Sequence, residues 1–143
     1  TVFIDIDYVL NNSNLGKSIF LELEKLNKKN SELFKKKEKK INEKKDSIEK
    51  KGNISSKEQL QDEIDLFNIE INKYRAEKNE IIENFKIKKK NDLTNFLIKI
   101  NPIIENYMKN NSIDIVLDKK QIFVGSVNKD ITKEILKLVN KKY

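Results

Sequence analysis

The stretch Lys51-Gly52-Asn53-Ile54-Ser55-Ser56-Lys57-Glu58 separates two long runs of helical pattern, and its reading decides the fold. Gly52 suits a position just past a helix end. Ser55, three residues ahead of Glu58, reads as a capping box, each side chain accepting a backbone N–H that the new helix leaves free. Upstream, Phe20, Asn27, Phe34, Ile41 and Ile48 recur one heptad apart, and Ile19, Leu23, Leu26 and Leu33 widen the stripe near its start. Downstream, Leu60, Ile64, Phe67, Ile71 and Tyr74 alternate steps of four and three, and Ile81 and Phe85 continue the register. The seam then slips by one step of four and resumes at Leu93, Phe96, Ile100, Ile103 and Tyr107, a stutter that locally unwinds a supercoil. Two such helices joined by a tight turn predict an antiparallel hairpin over residues 19–107, its tip near 51–55. Each helix would run about 50 Å at ~1.5 Å per residue. Pro102 removes one backbone hydrogen bond and predicts a kink.

Outside the hairpin the period changes to two. Val2-Phe3-Ile4-Asp5-Ile6 alternates and reads as a strand, followed by a polar turn at Asn11-Asn12-Ser13-Asn14. Beyond Asn110-Asn111-Ser112, Ile113–Leu117 reads as a strand, Asp118-Lys119-Lys120 as a turn and Gln121–Gly125 as a further strand. Asp130 then caps a short helix with Ile131, Ile135, Leu138 and Val139 on one face. The fold class is therefore α+β: a small β body of three strands plus a short C-terminal helix, residues 1–18 and 108–143, with a long coiled-coil arm inserted. Three strands bury little by themselves and leave apolar edges. A homo-oligomer joined through Val2, Ile4, Ile6, Ile115, Leu117, Ile122 and Val124 would cover them.

Charged and hydrophobic residues each make up 37% of the chain, too polar for one round core and fitting an elongated form. The net charge is +7, almost all from lysine, with Arg75 the only arginine. Such a balance attracts nucleic acid, acidic lipid or acidic polypeptide. The scarcity of arginine and the lack of a stacking platform speak against base reading. The chain has no cysteine and no histidine, which excludes thiol and imidazole catalysis, disulfides and the usual zinc sites. No stretch approaches a transmembrane span, and no signal peptide stands in this chain, whose start at Thr1 fits a mature terminus.

Two segments invite an enzymatic reading, and neither sustains it. Asp5 and Asp7, before Tyr8-Val9-Leu10, resemble the nucleophile motif of haloacid-dehalogenase phosphatases, but the glycine after the second aspartate is missing. So is the large α/β domain. Gly16-Lys17-Ser18 resembles the tail of a phosphate-binding loop, but Asn11 stands where its first glycine belongs. No catalytic residue, metal ligand or cofactor is expected. The arm carries the remaining candidates. Phe34, Ile41, Ile48, Ile54 and Leu60 form a thin seam that packs the helices together and leaves apolar surface for weak contact with unfolded chains. Lys36, Lys40 and Lys44, within the cluster from Lys28 to Lys51, would draw acidic segments toward it.

The whole layout resembles the Skp/OmpH family of periplasmic chaperones. The resemblance rests on the capped turn with Gly16-Lys17, the Lys/Glu hairpin with its Gly-Asn-Ile-Ser-Ser-Lys-Glu tip, and Asp114-Ile115-Val116-Leu117-Asp118-Lys119. It extends through Ile122-Phe123-Val124-Gly125-Ser126 and Asp130-Ile131-Thr132-Lys133-Glu134-Ile135-Leu136. It implies a homotrimer whose bodies close a small barrel, and arms that enclose unfolded outer-membrane β-barrel proteins in the periplasm without ATP. Lipopolysaccharide or anionic lipid enters as a further partner by the same resemblance, although only Arg75 with Lys73 and Lys78 offers a basic cluster. The competing reading is a basic coiled-coil protein that binds nucleic acid or acts as a scaffold.

Overall fold

The structure is a computed structural model that describes residues 1–52 and 56–143. Strand β1 spans Val2–Ile4. It ends two residues short of the alternating pattern because the Asp5 carboxylate accepts the Tyr8 N–H at 3.0 Å and caps helix α1, Ile6–Asn12. Ser13 then serves both neighbours. Its N–H donates to the Val9 carbonyl at 2.9 Å, and its buried hydroxyl accepts the Gly16 N–H at 3.0 Å. Helix α2, Asn14–Lys51, starts there, so the expected polar turn is a single-residue break between two helices.

Helix α3, Lys57–Asn110, runs on through Pro102. The Ser56 hydroxyl accepts the Gln59 N–H at 3.3 Å, so Ser56 caps it. Asn53, Ile54 and Ser55 lie outside the described residues, and with them the Ser55–Glu58 box and most of the expected tip. Gly52 does not take up a left-handed backbone; its N–H donates to the Glu49 carbonyl at 3.3 Å. The left-handed position belongs instead to Ser112, φ 52°, at the end of α3. There the Ile113 N–H reaches back to the Met108 carbonyl at 2.9 Å, closing the helix in a Schellman turn.

Strand β2 is Val116–Asp118, and it pairs with β1 in parallel, Val2 opposite Val116 and Ile4 opposite Asp118. The expected third strand at Gln121–Gly125 does not form. The Asp118 carboxylate accepts the Lys120 N–H at 3.1 Å and turns the chain into a 3-10 turn, Lys119–Gln121, away from the sheet. In its place an isolated bridge joins Phe3 to Asp130, with the Ile131 N–H donating to the Phe3 carbonyl at 3.0 Å. Among the described residues the sheet therefore has two strands, not three.

Helix α4, Thr132–Lys142, begins where the Asp130 carboxylate accepts the Thr132 N–H at 2.9 Å, as the sequence predicts. The Thr132 hydroxyl donates to the same carboxylate and accepts the Asp5 N–H at 2.9 Å, tying the end of β1 to the start of α4. At the other end of α4, Asn140 Oδ1 accepts the Asn14 N–H at 2.8 Å, one of the free donors of α2.

The described residues form two compact units, one of Thr1–Glu24 with Lys89–Tyr143 and one of Lys25–Lys88. The first holds the core, made by Ile4, Val9, Phe96, Ile100, Ile131, Ile135 and Val139. It draws in more helix than residues 1–18 and 108–143 because Phe96 and Ile100 of α3 are fully buried there.

Candidate client and assembly surfaces

In the unit Lys25–Lys88 the two helices are held side by side by paired charges. Lys37 meets Glu77 at 2.7 Å, Lys44 meets Glu70 at 2.9 Å and Lys51 meets Glu63 at 3.4 Å. Each step of seven up α2 is a step of seven down α3, so the pairing is antiparallel and the ladder repeats by heptads. These pairs stand about half exposed, so each contributes little to stability, and less in salt.

A different cluster interrupts the seam. Glu38 on α2 accepts from the Tyr74 hydroxyl and from the Lys78 ammonium, both at 3.0 Å. The Lys78 ammonium also lies 5.2 Å from the centre of the Phe34 ring, a cation–π contact. The Lys78 hydrogen bond, and after it the Tyr74 one, holds the Glu38 carboxyl below its ordinary value. Burial, and then the Glu38 carboxylate, pushes the Tyr74 phenol up to about 12. Lys37 holds Glu77 down in the same way as Lys78 holds Glu38.

Phe34, Ile41, Ile48 and Leu60 lie half-buried, as residues of a helix–helix seam. Ile54 lies outside the described residues. Lys36, Lys40 and Lys44 are exposed, and Lys44 pairs with Glu70. Between Lys25 and Lys51, twelve lysines stand among five acidic residues, while Lys57–Lys88 carries six basic and eight acidic ones. The positive charge of this unit thus sits on α2.

The most exposed apolar groups here are ones the heptad reading passes over. Leu66 and Ile69 on α3 are 62% and 64% exposed, Ile87 is 51% exposed, and Ile82 also faces solvent. Ile69 and Ile87 stand eighteen positions apart, five full turns, and so share one face about 27 Å long. That face lies roughly opposite the one carrying Phe67, which is buried. The signal was present in the sequence as apolar residues off the seam register.

In the first unit, the oligomerisation candidates divide. Ile4 is instead part of the unit's own core, and Val2 and Ile6 pack half-buried against it. Ile115, Leu117 and Val124 are exposed, and Ile122 is half-buried. Phe123 and Val127, not singled out from the sequence, are among the most exposed apolar side chains described. Ile4, Ile6, Ile104, Met108, Ile115 and Leu117 also line an open cleft beside β2. Of the two acids in the Asp5–Asp7 segment, Asp5 caps α1, and Asp7 is paired with Lys120, which raises the lysine pKa. Gly16 packs its backbone against the Leu10 carbonyl.

Among the described residues there is no cluster of acidic side chains fit to hold a metal ion, and no helix long and apolar enough to cross a membrane. Comparison with curated protein sequences gives no match. The fold is similar to the crystal structure of a protein described as an OmpH-like outer membrane chaperone from Caulobacter crescentus CB15. The TM-score is 0.92 at 10% identity, over 99% of this chain and 84% of that one, a likeness of fold. The sequence model of the OmpH-like outer membrane protein family matches residues 1–139, and the chain belongs to that family.

Proposed function

We propose that this chain is a non-enzymatic, ATP-independent holdase that binds unfolded outer-membrane proteins in the periplasm, in a cavity between the arms of a homotrimer. The observation that carries this reading is the exposed apolar set Leu66, Ile69, Ile82 and Ile87 on one helix, beside a second helix dense in lysine. Spaced apolar contacts are each weak and indifferent to sequence, which suits a client held without being trapped. The lysines supply attraction at longer range for clients with acidic loops. The test is aggregation of a denatured outer-membrane β-barrel protein on dilution, with and without this protein and with no nucleotide present. Suppression at a fixed stoichiometry is expected. Steep salt-sensitive binding to DNA or RNA without client protection would favour the scaffold or nucleic-acid reading instead.

The trimer is supported by the exposed loop residues Phe123, Val124 and Val127 and the apolar cleft beside β2 in the same unit. Phe123→Asp with Val127→Asp is expected to yield folded monomer at micromolar concentration, read by light scattering. A double variant with unchanged mass would place the assembly surface elsewhere.

A further inference from the structure

The charge ladder and the apolar seam of the paired helices share a weakness: both repeat by heptads. If α2 slipped by seven residues toward the start of α3, Lys37 would meet Glu70 and Lys44 would meet Glu63. Phe34, Ile41 and Ile48 are likewise seven apart, so the apolar side of α2 repeats itself at each heptad slip. Nothing in these two features selects the observed alignment strongly.

The Glu38–Tyr74–Lys78 cluster is different because it occurs once. Glu38 bonds residues 74 and 78 of α3. A slip of seven in one direction replaces them by Phe67 and Ile71, and in the other direction by Ile81 and Phe85. Either slip sets the carboxylate against two apolar side chains and strands Tyr74 and Lys78 without it. Lys78 and Glu38 keep 37% and 45% of their side chains exposed, so a slip costs chiefly the two hydrogen bonds that Glu38 makes; a single polar contact in a coiled-coil seam can set register in this way.

We propose that Glu38, Tyr74 and Lys78 form a register lock, fixing the alignment of α2 on α3 against heptad slips that the rest of the seam would accept. The lock trades some stability for a single alignment. Replacing all three by leucine would continue the apolar seam in every register.

The chain has no cysteine, so thiol pairs can report alignment directly. Three double variants place Lys44→Cys with Glu70→Cys for the observed register, and with Glu63→Cys or Glu77→Cys for the two slips. A short bifunctional thiol reagent is applied to each, with Glu38, Tyr74 and Lys78 intact and with all three changed to leucine. With the cluster intact, only the Lys44/Glu70 pair is expected to crosslink within one chain. In the leucine background, crosslinking of a slipped pair is expected to rise about tenfold, with helicity and thermal midpoint equal or higher. Slipped pairs as unreactive in the leucine background as in the parent would overturn the proposal. If the triple change costs helicity, Tyr74→Phe with Lys78→Met, which keeps side-chain volume, takes its place. A rise in slipped crosslinks is expected there too, and slipped pairs that stay unreactive would equally overturn the lock.

Discussion

The carbonyl oxygen of Leu10 occupies the place where a side chain on Gly16 would begin: a Cβ there would stand 1.6 Å from it. The closeness arises because Ser13 is the sole break between α1 and α2, so the second helix starts against the end of the first.

Gly16→Ala therefore forces the backbone of the two helices apart, and no side-chain movement relieves it. The change is expected to cost roughly 3 kcal/mol or more, in the class of severe packing conflicts. Gly52→Ala, with its nearest backbone contact at 3.3 Å and no left-handed φ, is the control and should change little. Thermal unfolding followed by circular dichroism reads both. Equal midpoints for the two variants would contradict the packing argument.

Ser112 holds a left-handed conformation that favours glycine. Ser112→Gly keeps the turn that closes α3 and removes the clash of Cβ with the backbone. A gain of about 1 kcal/mol is expected, offset in part by the greater freedom of glycine in the unfolded chain. Denaturant unfolding of the two proteins measures it.

The Glu38 and Glu77 carboxyls are held below their ordinary value by Lys78 and Lys37, so the folded chain binds their protons less tightly than the unfolded one. Their contribution is present above the unfolded carboxyl value, about 4.3, and is lost as pH falls through the lower folded values. Both are solvent-exposed, so the loss is small and shrinks with salt. Tyr74 has the opposite sign. With its phenol pushed up to about 12, its contribution is complete below the unfolded value near ~10 and is lost as pH climbs toward the folded one. Ultraviolet titration of phenolate should show Tyr74 ionising late. Tyr74→Phe should remove that late component, and Glu38→Gln should shift it toward the ordinary range.

Ile69 and Ile87 are expected to contribute to client contact and hardly at all to folding. Ile69→Ser with Ile87→Ser should leave the thermal midpoint within a degree or two, since exposed substitutions change stability by about 0.5 kcal/mol or less. Retention of an unfolded β-barrel client should weaken by several-fold, as measured by its release rate. Phe67→Ser, at a buried position of the same helix, is expected to lower the midpoint instead.

The long helices were legible because their determinants are local. Heptad spacing, rare breakers and serine near position 56 act within a few residues of where they stand. The cap at Asp130 was legible for the same reason. The β region was less so. Val2–Ile6 alternates, but Asp5-x-x-Tyr8 is also a capping pair, and the hydrogen bond from Tyr8 won over the strand pattern. Gln121–Gly125 has strand composition without a partner to pair with, since Asp118 turns the chain away first. The client candidates drawn from the seam are residues that the helices use on each other, and the exposed ones emerge only once the packed face is known.

From the sequence alone came two amphipathic helices around a break at Gly52, a short final helix, and a chain without thiol or imidazole chemistry. These follow from periodicity, capping residues and composition, which operate at short range. The parallel pairing of Val2–Ile4 with Val116–Asp118, the burial of Ile4 with Phe96 and Ile100, and the meeting of Glu38 with Tyr74 were decided by the tertiary structure. Each joins residues far apart in the chain, and such contacts are selected by the energy of the whole packed arrangement rather than by any local preference.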